Sequence, residues 1–122
     1  MRSLVRKQSL DSVTVFWLDR GRAVNLLTEM ARALGTGRRE VKRVGVFGSL
    51  AEGRAVPGSD ADVIIVLARS EKRAMDRRDD YIGYFGDLPL GVDLFCYTEE
   101  ETHVVPLARR ACATARWLYE RP

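Results

Sequence analysis

Gly48-Ser49-Leu50-Ala51-Glu52-Gly53-Arg54-Ala55-Val56-Pro57-Gly58-Ser59-Asp60-Ala61-Asp62 sets a glycine-serine turn ten residues ahead of two alternating acids. Apolar runs flank it, Val44-Gly45-Val46-Phe47 before and Val63-Ile64-Ile65-Val66-Leu67 after. Both flanks read as buried strands, which would hold the polar groups between them rigidly. In an extended strand side chains alternate between faces, so Asp60, Asp62, Ile64 and Val66 share one side, and the two carboxylates look the same way. A third acid, Asp93, interrupts Gly91-Val92-Asp93-Leu94-Phe95-Cys96-Tyr97, a run that otherwise has the β-branched and aromatic character of a strand. Strand building has no use for it.

If the two strands are neighbours, three carboxylates converge. Unit like charges about 4 Å apart repel by roughly 4 kcal/mol at an effective dielectric near 20, more than a small domain tolerates without compensation. A hard divalent cation supplies that compensation, taking carboxylate oxygens together with substrate phosphates and water. Oxygen-only ligands favour Mg²⁺ or Mn²⁺ over zinc. The turn at Gly48 and Ser49 would offer backbone N–H groups and a hydroxyl to phosphate oxygens. Each part taken singly is ordinary: a Gly-Ser pair is usually a loop, and Ser-Asp before a strand is usually turn chemistry. It is the spacing of the whole set that points to a site for a metal-bound nucleoside triphosphate.

At these residues the chain resembles the nucleotidyltransferase superfamily that includes DNA polymerase β, and most closely its minimal nucleotidyltransferases. The resemblance rests on Gly48-Ser49, ten intervening residues, Asp60-Ala61-Asp62, and Asp93 as the third acid. It covers residues 40 to 98, with a looser likeness at Ala115 to Glu120. It implies triphosphate contacts at Gly48 and Ser49, metal ligation at Asp60, Asp62 and Asp93, and help from Asp93 in activating an attacking hydroxyl. The resemblance further implies an antitoxin role, with AMP from ATP placed on a tyrosine of a helical HEPN-type toxin. A small hydroxylated acceptor such as an aminoglycoside, or a partner-binding module without catalysis, are the alternatives. One departure stands out: Leu50 follows Gly-Ser where many relatives carry a basic residue, with Arg54 and Arg43 as conceivable substitutes.

A chain of 122 residues with 46% hydrophobic content fits one domain and leaves no room for an appended acceptor domain. Specificity would then come from a partner chain, self-association or a small acceptor. Twenty basic residues stand against 17 acids, without a dense basic tract interleaved with aromatics, which argues against a primary nucleic-acid role. Cys96 and Cys112 lack metal-site spacing and read as reduced thiols, and no apolar run approaches the ~20 residues of a membrane span, so the reading is cytoplasmic.

The expected fold class is α+β, a nucleotidyltransferase fold with a mixed β-sheet and helices packed largely on one face. Residues 1–9 are expected to fray, Val13 to Trp17 to join a sheet edge, and Asp19 to cap a helix ending at Leu34 before Gly35. Strands are expected over Val41–Phe47, Ala61–Leu67 and Gly91–Tyr97, with a charged helix from Glu71 to Phe85 between the last two. Thr98 with three following glutamates marks a helix start, Pro106 opens another helix, and a last strand runs from Arg116 to Tyr119. The lone His103 lies outside the acid cluster and reads as a surface residue.

Overall fold

The two apolar runs around the Gly-Ser turn pair with each other. In the computed structural model, which describes residues 3–10 and 13–122, β3 (Val41–Phe47) and β4 (Ala61–Leu67) run antiparallel. A third strand, β5 (Val92–Thr98), lies parallel to β4, and β6 (Arg116–Glu120) lies antiparallel to β3, giving the order β5-β4-β3-β6. The sheet is mixed, as expected. From Val63 to Leu67 every residue of β4 is buried, because helical segments cover both faces of this central strand.

The larger core lies on the face of Val44, Val46, Val63, Ile65, Leu67, Leu94 and Cys96. Against it packs α1 (Arg20–Gly37) through Val24, Leu27, Ala31 and Leu34, the helical stripe visible in the sequence. Tyr81 from α3 (Arg78–Tyr81) and Phe85 complete this side. The opposite face carries a smaller cluster of Ile64 and Val66 beneath Ala111 of α5 (Pro106–Thr114), joined by Phe47, Tyr97 and Trp117. Fully burying a Leu, Ile or Val contributes about 1.5–3 kcal/mol, so these clusters supply a core without crosslinks; both cysteines are free.

Local signals in the sequence account for the helix ends. Asp19 accepts from the Arg22 N–H at 3.1 Å and caps α1, while the Arg6 guanidinium holds its carboxylate at 2.8 Å. Thr98 and Glu101 form a reciprocal capping box ahead of α4 (Glu101–Val104): each backbone N–H donates to the other's side chain, at 2.8 and 3.2 Å. Pro106 is the first residue of α5.

Four expectations need correction. From Val5 onward the N-terminal segment is ordered as β1 (Val5–Leu10), paired antiparallel with β2 (Val13–Leu18); of the segment expected to fray, residues 1 and 2 lie outside the described residues. These two strands form their own two-stranded sheet rather than an edge of the main one, rooted by Leu4 and Leu18 in the core. Helix α1 continues past Leu34 to Gly37. Gly35 is there for packing, since a Cβ would collide with the ring of Tyr119, and Arg121 receives the end of the helix by donating to the carbonyls of Gly35, Arg38 and Val41.

The charged stretch from Glu71 to Phe85 is not one helix but a 3₁₀ turn over Ala74–Asp76, the single turn α3, and a second 3₁₀ turn over Ile82–Phe85. Arg77 explains the break. Its side chain is buried, and it donates to the Lys72 carbonyl, the group a continuous helix would give to the Asp76 N–H; Asp76 bonds instead to Arg73. The guanidinium also reaches the Cys96 carbonyl at 3.2 Å and Glu101 at 2.5 Å, tying the crossover to β5 and α4.

That contact holds the Glu101 carboxyl below its ordinary 4.5, chiefly through its hydrogen bond from Arg77. A depressed carboxyl stabilises the fold above its unfolded pKa and loses that contribution as pH falls through the folded value. Glu101→Gln is therefore expected to cost about 1–3 kcal/mol in urea unfolding at pH 7, with the gap to the wild type closing below about pH 4.5.

Candidate active site

Strand register decides where the acids stand. β4 and β5 run parallel with Asp62 paired to Asp93, Ile64 to Phe95 and Val66 to Tyr97. Residues directly paired across a sheet project to the same face, so Asp62 and Asp93 lie side by side at the open end of the face that α5 covers farther along. Asp60 is two residues upstream of Asp62, just ahead of the strand. Asp60 and Asp93 are exposed and Asp62 is half-buried.

The glycine-serine turn meets the same point from the other strand. Phe47, the last residue of β3, is the register partner of Asp62, and Gly48 then turns the chain into α2 (Gly48–Ala51) with φ +71°. A Cβ on Gly48 would collide with the Asp62 carboxylate, so glycine is required here by both conformation and close approach. The first amides of α2 have no carbonyl one turn back to bond to, and no side chain caps them. Ser49 is half-buried, and its carbonyl gathers the N–H groups of Arg54 and Ala55 at 2.8 and 3.1 Å, folding the following loop back on the turn. Leu50 is buried in the core, so the residue after Gly-Ser points inward and offers nothing to a ligand. Neither substitute fills the gap. Arg54 is ion-paired with Glu52, and Arg43 lies over the Trp117 ring at 4.2 Å, four residues before Phe47 and so about 13 Å along the strand.

Electrostatics register the crowding. The Asp62 carboxyl is pushed above its ordinary 3.8, first by burial and then by the charges of Asp93 and Asp60. Among the described residues, no three metal-ligating side chains close into a ready-made cage. The cluster is an open, oxygen-only arrangement of like charges at a surface.

Two further residues belong to this geometry and went unread in the sequence. Gly91 directly precedes β5; its carbonyl accepts from the Ala61 N–H at 2.8 Å, and a Cβ on it would collide with Asp60. A lone glycine at a strand start, next to an acid-bearing strand, is the signal that could have found it. Arg20, at the start of α1, donates to the Ala55 carbonyl at 3.1 Å and pins the loop between the turn and the acids. Its partner is 35 residues away in sequence, so no local pattern announces it.

A family model described as nucleotidyltransferase domain matches residues 25–115. The chain belongs to the nucleotidyltransferase domain family. Among solved structures, the domain is similar to a protein of Sulfolobus solfataricus assigned as a nucleotidyltransferase, with 21% identity, TM-score 0.64 and coverage of 84% of each chain. It is also similar to a toxin-antitoxin structure with AMP-PNP, at 17% identity and TM-score 0.58 over 80% of this chain and 73% of the other. A mutant of the toxin-antitoxin MntA-HpeT, carrying two aspartate-to-glutamate changes two positions apart, matches at 14% identity and TM-score 0.55, over the same shares. No curated protein sequence matches the chain.

In this nucleotidyltransferase, glycines set the spacing between backbone and acids, which gives a direct test. Gly91→Ala should fold with stability within about 1 kcal/mol of the wild type, because its backbone conformation suits any residue, yet displace Asp60. A displacement near 1 Å should lower the rate of nucleotidyl transfer about 100-fold, measured as incorporation of labelled nucleotide beside a thermal melt.

Proposed function

We propose that the chain transfers AMP from ATP to a hydroxyl of an acceptor, that the acceptor is a tyrosine of a HEPN-type toxin, and that the chain acts as the antitoxin. The reading is carried by one observation: Asp62 and Asp93 stand side by side near the starts of β4 and β5, with Asp60 two residues upstream and the Gly-Ser turn at the end of β3, although these residues are scattered over 46 positions from Gly48 to Asp93. Asp60, Asp62 and Asp93 fit a pair of Mg²⁺ ions, with Mn²⁺ as a substitute. The donors are oxygen only, their mutual repulsion needs a cation, and Mg²⁺ completes its shell with water and phosphate oxygens rather than a closed protein cage. When bound, the metal supplies charge neutralisation at the α-phosphoryl group and the leaving pyrophosphate.

The chain's own groups then have distinct tasks. The α2 amides and the Ser49 hydroxyl hold triphosphate oxygens, with Gly48 giving the phosphates room to approach. Asp93 accepts the proton of the attacking hydroxyl as its oxygen bonds to the α-phosphorus; the bond from that phosphorus to the bridging oxygen breaks, and pyrophosphate departs. Positioning and electrostatics provide most of the acceleration.

The neighbour solved with AMP-PNP, an analogue of ATP, supports the choice of nucleotide, and the toxin-antitoxin neighbours support a protein acceptor. Free Cys96 and Cys112 suit the reducing, ATP-rich cytoplasm, and among the described residues no helix is long and apolar enough to cross a membrane.

Asp60→Asn, Asp62→Asn and Asp93→Asn should each abolish transfer of labelled AMP to the toxin in Mg²⁺, and a chelator should do the same to the wild type. Asp62→Asn removes a like charge, so its melting temperature in metal-free buffer should equal or exceed that of the wild type. Full transfer by any of the three variants would remove the metal assignment. Label on an aminoglycoside but not on protein would overturn the acceptor.

A further inference from the structure

The stretch from Thr102 to Tyr119 contains Arg109, Arg110, Arg116 and His103 and not one Asp or Glu, in a chain that holds 17 acids. α5 divides it into two faces. Ala108 and Ala111 are buried, while Pro106, Arg109, Arg110 and Ala113, three or four residues apart along the helix, face outward around a shallow hollow of about 330 Å³. Among the described residues no ion pair involves Arg109 or Arg110. At the corner where α4 meets α5, Val104 is 67% and Leu107 36% exposed. The result is one continuous surface with two uncompensated cations, a concavity and two apolar side chains.

Its position matters. α5 packs on the sheet face that bears Asp62 and Asp93, and it touches α2, the helix that begins at the Gly-Ser turn. Whatever lies on the outer face of α5 is brought to the side of the molecule where the acids open.

We infer that the outer face of α4 and α5 docks an acidic protein surface bearing apolar side chains, and that this surface belongs to the acceptor. Arg109 and Arg110 meet its carboxylates, and Val104 and Leu107 meet its apolar groups. A nucleic-acid backbone would satisfy the arginines but leave Val104 and Leu107 against phosphates and water, which is why a protein is the better match. The inference deepens the protein-acceptor reading above and rests on it for the identity of the acceptor, not for the existence of the surface.

The probe is a random glutamate-tyrosine copolymer, acidic and tyrosine-bearing, with tyrosine amide as a small acceptor lacking any docking surface. The wild type should bind the copolymer at low salt, more weakly as salt rises, and label it with AMP. The double variant Arg109→Glu/Arg110→Glu should weaken binding and raise KM for the copolymer by about tenfold or more, with kcat and transfer to tyrosine amide unchanged. Leu107→Ser should weaken binding without altering its salt dependence, and Arg32→Glu, a reversal on exposed α1, should change nothing. Equal copolymer binding by the double variant and the wild type would overturn the surface, as would a preference for polyuridylate over the copolymer. Binding lost in the double variant, with no acceptor labelled even by the wild type, would support the surface while removing the transfer reaction.

Discussion

Two carboxylates, Asp62 and Asp93, side by side across two strands with Asp60 just ahead of the first, are the constraint around which this molecule is arranged. Left alone they repel, and the upward displacement of Asp62 shows that burial and its two neighbours already work against its charge. The parallel register makes the conflict unavoidable. With Asp62 paired to Asp93, a shift of one residue in β5 would turn Asp93 to the opposite face and also move Leu94 and Cys96 out of the main core. Hydrophobic alternation therefore locks an electrostatically unfavourable arrangement in place. The five buried residues of β4 from Val63 to Leu67 hold the acids at its beginning, much as a clamp holds the end of a rod.

The remaining structure can be read as support for that strand end. α1 covers the main core and, through Arg20, holds the loop between turn and acids. The crossover from β4 to β5 has to return the chain for a parallel pairing, and Arg77 organises it from within by joining Lys72, Cys96 and Glu101. On the other side, β6 crosses a register shift between Val44 and Gly45 that sends Trp117 to the α5 cluster while Leu118 and Tyr119 join the α1 core. One short strand thus serves both faces. Gly45 makes this feasible, because a Cβ would press on the Trp117 ring.

Much of this was legible before any coordinates. β3 and β4 begin and end at the residues expected, since an apolar run in each, Val44–Phe47 and Val63–Leu67, adjoins turn chemistry, and the caps at Asp19, Thr98 and Pro106 are local signals with local effects. The common face of Asp62 and Asp93 was readable because strand alternation converts spacing into direction once the two strands are neighbours. What stayed hidden depends on distant partners. The stretch around Arg77 has the composition of a helix, and only the carbonyls and carboxylate that the side chain reaches in the folded state break it up. Gly35 has the look of a helix stop until Tyr119 arrives from the far end of the chain. The N-terminal strands could not be placed by pattern alone, because nothing in an alternating segment says whether its partner is the main sheet or a strand of its own.

The inward turn of Leu50 has its own implication for how the triphosphate is held in the proposed reaction. With that side chain committed to the core, the grip on the phosphates falls to main-chain amides and a hydroxyl, groups whose strength is fixed by the shape of the chain rather than by a mobile cation. In that reading such a cradle would bring no formal charge of its own, so nucleotide affinity would be tied to metal occupancy, and the fuel would enter together with its divalent ions.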